Sequence, residues 1–199
     1  IVPEAYKNAD VVMLGNLHPM VQQGVLNQMS KKPKLVILDT MNFWMDIALD
    51  DLHAVIKNVD VITINDEEAR QLTGAYSLVV AARKIHDMGP KYVVIKKGEH
   101  GALLFHNDDM FYAPALPLEN VFDPTGAGDT FAGGFSGYLA NTEDYSFENM
   151  KNAVIYGSAL ASFCVEKFGT ERMQNITKDD IKQRIKDFKK LTQFNIELS

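Results

Sequence analysis

Four short apolar segments divide the first half of the chain: VVMLG (11–15), KLVILDT (34–40), DVITIN (60–65) and KYVVIKKG (91–98). Each is rich in Val, Ile or Leu without polar alternation, which is typical of strands covered on both faces of a parallel sheet. A helical pattern follows each of the first three segments. The clearest begins after Ser77 and ends at Gly89-Pro90. These repeated strand–helix units predict a mostly parallel α/β sheet with helices on its faces.

The second half of the chain shows a different pattern. Two apolar segments, GALLF (101–105) and MFYAPA (110–115), flank the polar residues 106–109 and predict an antiparallel hairpin. Helices are predicted near 126–140 and 147–167. A last helix begins near Thr177, whose hydroxyl can cap it, and buries Ile181, Ile185 and Phe188. Because no linker or repeat interrupts these patterns, we predict one α/β domain over residues 1–199.

Composition excludes several classes of protein. The 199 residues include one cysteine, which argues against a disulfide scaffold and favours a reducing compartment. A net charge of −6 without a Lys/Arg run argues against nonspecific nucleic-acid binding. No apolar stretch reaches the ~18–20 residues of a membrane span, and the first residues lack a signal-peptide pattern. We therefore expect a cytoplasmic protein with neither nucleic-acid nor membrane partners.

The segment DPTGAGDTFAGGF (123–135) carries the strongest chemical signal. Gly126, Ala127 and Gly128 allow a ligand to approach the backbone, and a helix begins there. The free N–H groups and the positive dipole end of a helix start favour an anion. Asp129 lies in the first turn, beside that position. A carboxylate next to a phosphate cradle indicates phosphoryl transfer, in which the carboxylate takes a proton from an attacking hydroxyl.

The segment does not match other phosphate-binding motifs. The chain lacks the GxxxxGK[ST] of P-loop NTPases and the HRD and DFG motifs of protein kinases. A dinucleotide fingerprint would need a glycine where Phe131 stands, and it would belong to the first strand–helix unit. One alternative from the residues alone stays open: Asp129 only complements the helix dipole, and the glycines only make the turn.

Three motifs in order resemble one family. DPTGAGDTFAGGF is similar to the C-terminal signature of the PfkB/ribokinase family of carbohydrate kinases. NDEE (65–68) resembles its N-x-x-E motif, and IKKGEHGALLF (95–105) resembles its nucleotide-loop strand and hairpin. The resemblance implies a ribokinase-like three-layer α/β/α sandwich and ATP-dependent phosphorylation of an alcohol group of a small sugar. A nucleoside kinase of the adenosine type is one alternative, and a nucleotide-binding module without catalysis is another.

The resemblance also implies roles for the signature residues. Asp129 would be the general base that contacts the substrate, and the amides of Gly126, Ala127 and Gly128 would form an anion hole. Asn65 and Glu68 would place Mg²⁺ and the phosphates, largely through water. Without the resemblance, Glu68 is an ordinary first-turn carboxylate at a helix N-terminus.

Further residues are expected at the nucleotide. Lys96 would reach the ATP phosphates as a point charge, or else form a solvated pair with Lys97. Gly98 and Gly101 would let the loop lie against the nucleotide. Ser158 belongs to the helix that resembles the segment covering the adenine. Asp123 matches a position that binds a monovalent cation such as K⁺ in relatives, or else it initiates the turn before Pro124.

Substrate candidates follow the early strands. Asn16, with His18 nearby, comes after the first apolar segment, and Asp39 and Asn42 come after the second. Ligands gather at the carboxyl ends of strands in open α/β sheets, so we expect Asn16 and Asn42 to contact the substrate. His18, which precedes Pro19, is more readily explained as a loop residue. Asp39 and Asn42 are one residue further apart than in the D-x-N of many relatives.

The resemblance covers the C-terminal two-thirds of such a kinase. The N-terminal Gly-Gly signature, most sugar-binding residues and the lid of the family have no counterpart in this chain. We expect the 199 residues alone to bind nucleotide weakly and the full-length protein to be active, because lids exclude water and complete the site. A homodimer is expected for the full-length protein, since relatives associate through the lid.

Overall fold

The computed structural model describes residues 1–197. Its six strands form one sheet in chain order: β1 (Val11–Leu14), β2 (Leu35–Asp39), β3 (Val61–Asn65), β4 (Tyr92–Lys96), β5 (Ala102–His106) and β6 (Asp109–Ala113). The first four strands are parallel, and β5 and β6 continue the sheet as an antiparallel hairpin. The predicted strands and the hairpin are confirmed, with ends that differ by one or two residues.

Over residues 1–197, eight α-helices connect or follow these strands: α1 (Pro19–Asn27), α2 (Asn42–Ile47), α3 (Leu49–Ile56), α4 (Asp66–Thr73), α5 (Leu78–Met88), α6 (Ala127–Thr142), α7 (Phe147–Cys164) and α8 (Lys178–Thr192). Among the described residues, no helix combines the length and the apolar character that crossing a bilayer requires.

The sheet is buried on both faces, as the unbroken apolar segments predicted. In β2, Leu35 and Ile37 face one cluster with α6 and α7, whereas Val36 and Leu38 face the other with α2 to α5. Successive side chains of a strand point to opposite faces, so an all-apolar strand requires a helix layer on each side. The result is three layers, helix, sheet and helix.

Helices α6 and α7 pack closely because small residues lie between them. A Cβ on Gly134 would stand 2.8 Å from Leu160 Cδ1, and a Cβ on Gly157 would stand 2.8 Å from the Phe131 carbonyl oxygen. Glycine at both positions therefore allows the two helices to approach. The start of α6 and the C-terminal part of α7 contribute residues to the site described below.

Two details of the predicted helices are corrected. Helix α7 ends at Cys164 rather than near 167. Thr177 does cap α8 through a capping box with Asp180, but of the three predicted core residues only Phe188 is buried, while Ile181 and Ile185 are half-buried. Helix α8 packs against α7 rather than against the sheet, so its apolar stripe meets a smaller surface.

Candidate active site

The turn before α6 is built from short-range hydrogen bonds. Asp123 Oδ1 accepts the Thr125 N–H at 2.9 Å, and the Pro124 carbonyl accepts the Ala127 N–H at 3.1 Å. The first of these bonds lowers the pKa of the Asp123 carboxyl. Gly126 follows in the left-handed region with φ 79°, and its carbonyl accepts the Thr130 N–H. Asp123 therefore shapes the turn, which was the alternative to its predicted cation-binding role.

Three amides at this turn are free. Within residues 1–197, the N–H groups of Gly126, Gly128 and Asp129 have no hydrogen-bond partner. Ala127 differs from the predicted anion hole, because its N–H already donates to Pro124. Unpaired amides at the positive end of a 16-residue helix favour an anion, so this turn is the candidate anion position.

A buried ion pair lies against this turn. Lys96 Nζ contacts Asp39 Oδ1 at 2.7 Å, and Thr63 Oγ1 donates to the same oxygen at 2.5 Å. The Lys96 side chain is 17% exposed and that of Asp39 is 8% exposed. Lys96 Nζ also lies 3.5 Å from where a Cβ on Gly128 would be. The predicted alternative of a solvated Lys96-Lys97 pair is therefore wrong, since strand β4 carries Lys96 to the buried carboxyl end of β2.

Asn65 and Glu68 are joined in a capping box at the start of α4. Asn65 Oδ1 accepts the Glu68 N–H at 2.7 Å, and Glu68 Oε2 accepts the Asn65 N–H at 3.0 Å. Burial raises the pKa of the Glu68 carboxyl, an effect opposed by the Asn65 N–H and by Lys96. The N-x-x-E spacing therefore has a structural purpose, because it joins the two residues in the cap of α4.

A cavity of about 880 Å³ opens beside the free amides. It falls within the ~300–1,000 Å³ of small-molecule sites. Seven of the predicted site residues line it: Asn65, Lys96, Gly98, Gly101, Ala127, Gly128 and Ser158. The segment 115–118, with Val121, completes the wall and was missed, because it has neither helical nor strand periodicity. Its Leu and Pro residues outside any regular element were the available signal.

Two glycines shape the cavity rim. Gly101 has φ 80°, and a Cβ there would stand 2.1 Å from the Ala113 carbonyl oxygen. Gly98 has φ 56° but open space around it. Glycine adopts both conformations at little cost, and at Gly101 it also allows the backbone to lie against the end of β6.

Other predicted residues lie outside the cavity lining. Asn16 Oδ1 accepts the Trp44 Nε1–H at 2.8 Å, and Asn42 Oδ1 accepts the Phe43 N–H at 2.9 Å. Both asparagines are exposed. His18 caps α1 by accepting the Met20 N–H. These residues gather near the carboxyl ends of β1 and β2, and their contact with a substrate stays a prediction.

Asp129 occupies the first turn of α6, one residue beyond Gly128. It is exposed, and its carboxylate has no partner in residues 1–197. Gly128 lines the cavity whereas Asp129 does not. The free carboxylate therefore stands next to the anion position but outside the cavity, where it can accept a proton from a second ligand.

The site offers few side chains that could hold a metal ion directly. In the part of the chain that the structure describes, no group of three or more His, Cys, Asp and Glu side chains is placed to hold one. Mg²⁺ usually keeps several waters and takes one or two carboxylates with substrate phosphates. The Glu68 carboxylate, next to the Asn65 amide at the start of α4, fits such a water-rich arrangement.

Comparison with known proteins agrees with this fold. The model of the pfkB family of carbohydrate kinases matches residues 7–177, and the chain belongs to that family. The cytidine kinase of Thermococcus kodakarensis is 37% identical over 69% of this chain and 50% of its own length. The ribokinase of Arabidopsis thaliana is 30% identical over 83% of this chain and 43% of its own. The chain thus spans half or less of these relatives.

Solved structures give the same fold. The Arabidopsis ribokinase complexed with ribose and ATP superposes with a TM-score of 0.74 and 27% identity, over 92% of this chain and 58% of that one. A putative ribokinase II from E. coli, in complex with ATP and Mg²⁺, has a TM-score of 0.74 and 20% identity, over 92% and 60%. The latter likeness concerns the fold alone. The predicted ribokinase-like α/β/α sandwich is confirmed.

Proposed function

We propose that the full-length protein is an ATP-dependent phosphotransferase that phosphorylates an alcohol group of a small sugar. The observation that carries this proposal is the free-amide turn of α6, with Lys96 on one side and the unpaired Asp129 on the other. Family membership supports the same activity. The chain covers about half of its relatives, so the activity proposed is that of the whole protein.

The cavity is the proposed site of the nucleotide. Its apolar wall from 115–118 and α7 suits a base, and its polar end at Lys96 and Gly128 suits phosphates. Lys96 and the amides of Gly126 and Gly128 would stabilise the charge on the transferred group. Mg²⁺ bound to the phosphates would neutralise further charge, with Glu68 and Asn65 holding its waters.

Asp129 is the proposed general base. Its carboxylate accepts the proton of the acceptor hydroxyl while that oxygen forms a bond to the terminal phosphorus and the bond to ADP breaks. An exposed carboxylate next to free amides can do this without disturbing a structural contact. Asn16 and Asn42, at the neighbouring strand ends, are the proposed acceptor contacts. The cation role of Asp123 with K⁺ stays a proposal, beside its role in the turn.

A nucleoside acceptor is the second candidate. It is favoured by the 37% identity to a relative named as a cytidine kinase. Turnover with ribose, fructose, adenosine and cytidine in parallel separates the two, measured as acceptor-dependent ADP release. If the protein is a sugar kinase, kcat/KM should be higher with a sugar than with a nucleoside. If it is a nucleoside kinase, kcat/KM should be higher with a nucleoside.

The Asp129→Asn variant tests the proposal against a nucleotide-binding module without catalysis. We expect turnover to fall by ~10²–10⁴-fold, because the amide cannot take the proton. ATP affinity should stay nearly intact, since Asp129 does not line the cavity. Asp108→Asn, at an exposed hairpin turn, is the matched control and should leave both values unchanged. Unchanged turnover in Asp129→Asn would contradict the proposed role of Asp129 as the general base.

A further inference from the structure

The last helix, α8, packs against a helix that forms part of the cavity wall. Helix α8 begins at Lys178, just beyond the matched family region, which ends at residue 177. It packs against α7, the helix that supplies Ser158, Ala161 and Ser162 to the cavity, and Val165 follows directly after its end. The helix is held in place by its capping box and by the burial of Phe188. A side chain on α8 is thus able to set the position of this wall.

Arg184 makes that connection. Its Nη1 donates to Ser162 Oγ at 2.7 Å, and its Nη2 contacts Glu166 Oε1 at 2.6 Å. The guanidinium carbon lies 3.8 Å from the centre of the Phe163 ring. The Arg184 side chain is 13% exposed. Such a planar group with two directed hydrogen bonds and a stacked face has one orientation, so it holds the end of α7 rigidly.

The same end of α7 is tied to the turn before α6. The Val165 carbonyl accepts the N–H of Phe122 at 2.9 Å and that of Asp123 at 3.4 Å. Val165 also lines the cavity, and Asp123 begins the turn that leads to the free amides. A displacement of the α7 end would therefore widen the cavity and loosen the segment that precedes the anion position.

We propose that Arg184 is a positioning residue for the nucleotide, which acts through Ser162 and Glu166 on the wall that receives the nucleoside part of ATP. This inference rests on the proposed function, in which the cavity holds ATP. Arg184 does not line the cavity, so its effect on the nucleotide is indirect. Asp129 does not line the cavity and lies within α6, so we expect the largest effect on the nucleotide.

Steady-state kinetics of the full-length protein test the proposal. Arg184→Met keeps the apolar stem but removes both hydrogen bonds, and it should raise the KM for ATP about tenfold, the scale of one lost bond to a charged group. The kcat and the KM for the acceptor should change less than about twofold. Lys186→Met removes an exposed positive charge from the same helix and is the matched control, with all three constants unchanged.

A purely structural role would lower the melting temperature of Arg184→Met while leaving its KM for ATP as in the wild type, and that result overturns the proposal. If Arg184→Met does not fold, Ser162→Ala and Arg184→Lys replace it. Both should raise the KM for ATP selectively, and wild-type values in both contradict the proposal. A wild-type protein that neither binds nor uses ATP refutes the proposed function and this inference together. An active wild type with an unaltered Arg184→Met refutes the inference alone.

Discussion

Lys96 and Asp39, 57 positions apart in the chain, form an ion pair of 2.7 Å at the carboxyl ends of β4 and β2. Thr63, on the strand between them, donates to the same carboxylate oxygen. The parallel sheet brings the three residues together, and Lys96 in turn lies beside Gly128. The ammonium of Lys96 is therefore held beside the free-amide turn by a carboxylate from another strand.

Replacement of Lys96 should affect stability and binding separately. Lys96→Met leaves the Asp39 carboxylate buried without its cation, which should cost about 3–5 kcal/mol in the free energy of unfolding. The double variant Lys96→Met with Asp39→Asn should recover most of that loss, measured by urea denaturation. ATP affinity should stay low in both variants, because neither has the ammonium. Full ATP affinity in the double variant would show that Lys96 is only structural.

The Glu68 carboxyl predicts a pH dependence of stability. Burial raises its pKa above the usual value of 4.5, so the folded state holds the proton more tightly than the unfolded state. Its stabilising effect is complete below pH 4.5 and is lost as the pH rises through the raised pKa. Glu68→Gln keeps a capping oxygen but cannot titrate. In this variant the free energy of unfolding, measured by denaturation as the pH rises from 4.5, should no longer show this decline. Glu67→Gln, its exposed neighbour, should retain it.

Gly101 and Gly98 form a matched pair for measuring strain at the cavity rim. Gly98→Ala has open space and should cost about 1–2 kcal/mol for its left-handed backbone. Gly101→Ala would place a Cβ 2.1 Å from a backbone oxygen, so we expect a loss of more than about 3 kcal/mol in the free energy of unfolding. Equal losses in chemical denaturation would contradict the close approach of Gly101 to Ala113.

Gly128 offers a test of the anion position itself. A Cβ there meets only Lys96 Nζ at 3.5 Å. The free energy of unfolding of Gly128→Ala should therefore lie within about 1 kcal/mol of the wild-type value. The added methyl would nevertheless stand where we place the phosphates, and ATP affinity measured by calorimetry should fall about tenfold or more. Gly137→Ala, at an open position of the same helix, should bind ATP normally. Normal ATP binding by Gly128→Ala would contradict the proposed position of the phosphates.

Much of the site was accessible from sequence because its signals are local. The Asn65-Glu68 spacing encodes a capping box, and the small residues of 126–128 encode a helix start with free amides. The partner of Lys96 was not accessible, since nothing near it in the chain distinguishes a solvated lysine from one paired across two strands. Ala127 was misjudged for a similar reason, because its N–H is consumed by the turn geometry around Pro124.

The order of apolar segments and turn residues determined the three layers, the parallel sheet and the position of the anion-binding turn, because periodicity and backbone preference act over a few residues. The tertiary structure decided which of the predicted residues share a cavity. It also joined Asp39 to Lys96 and brought Arg184 to the back of the cavity wall. These are contacts between distant segments, and they depend on strand order and helix packing, which set distances that no local pattern contains.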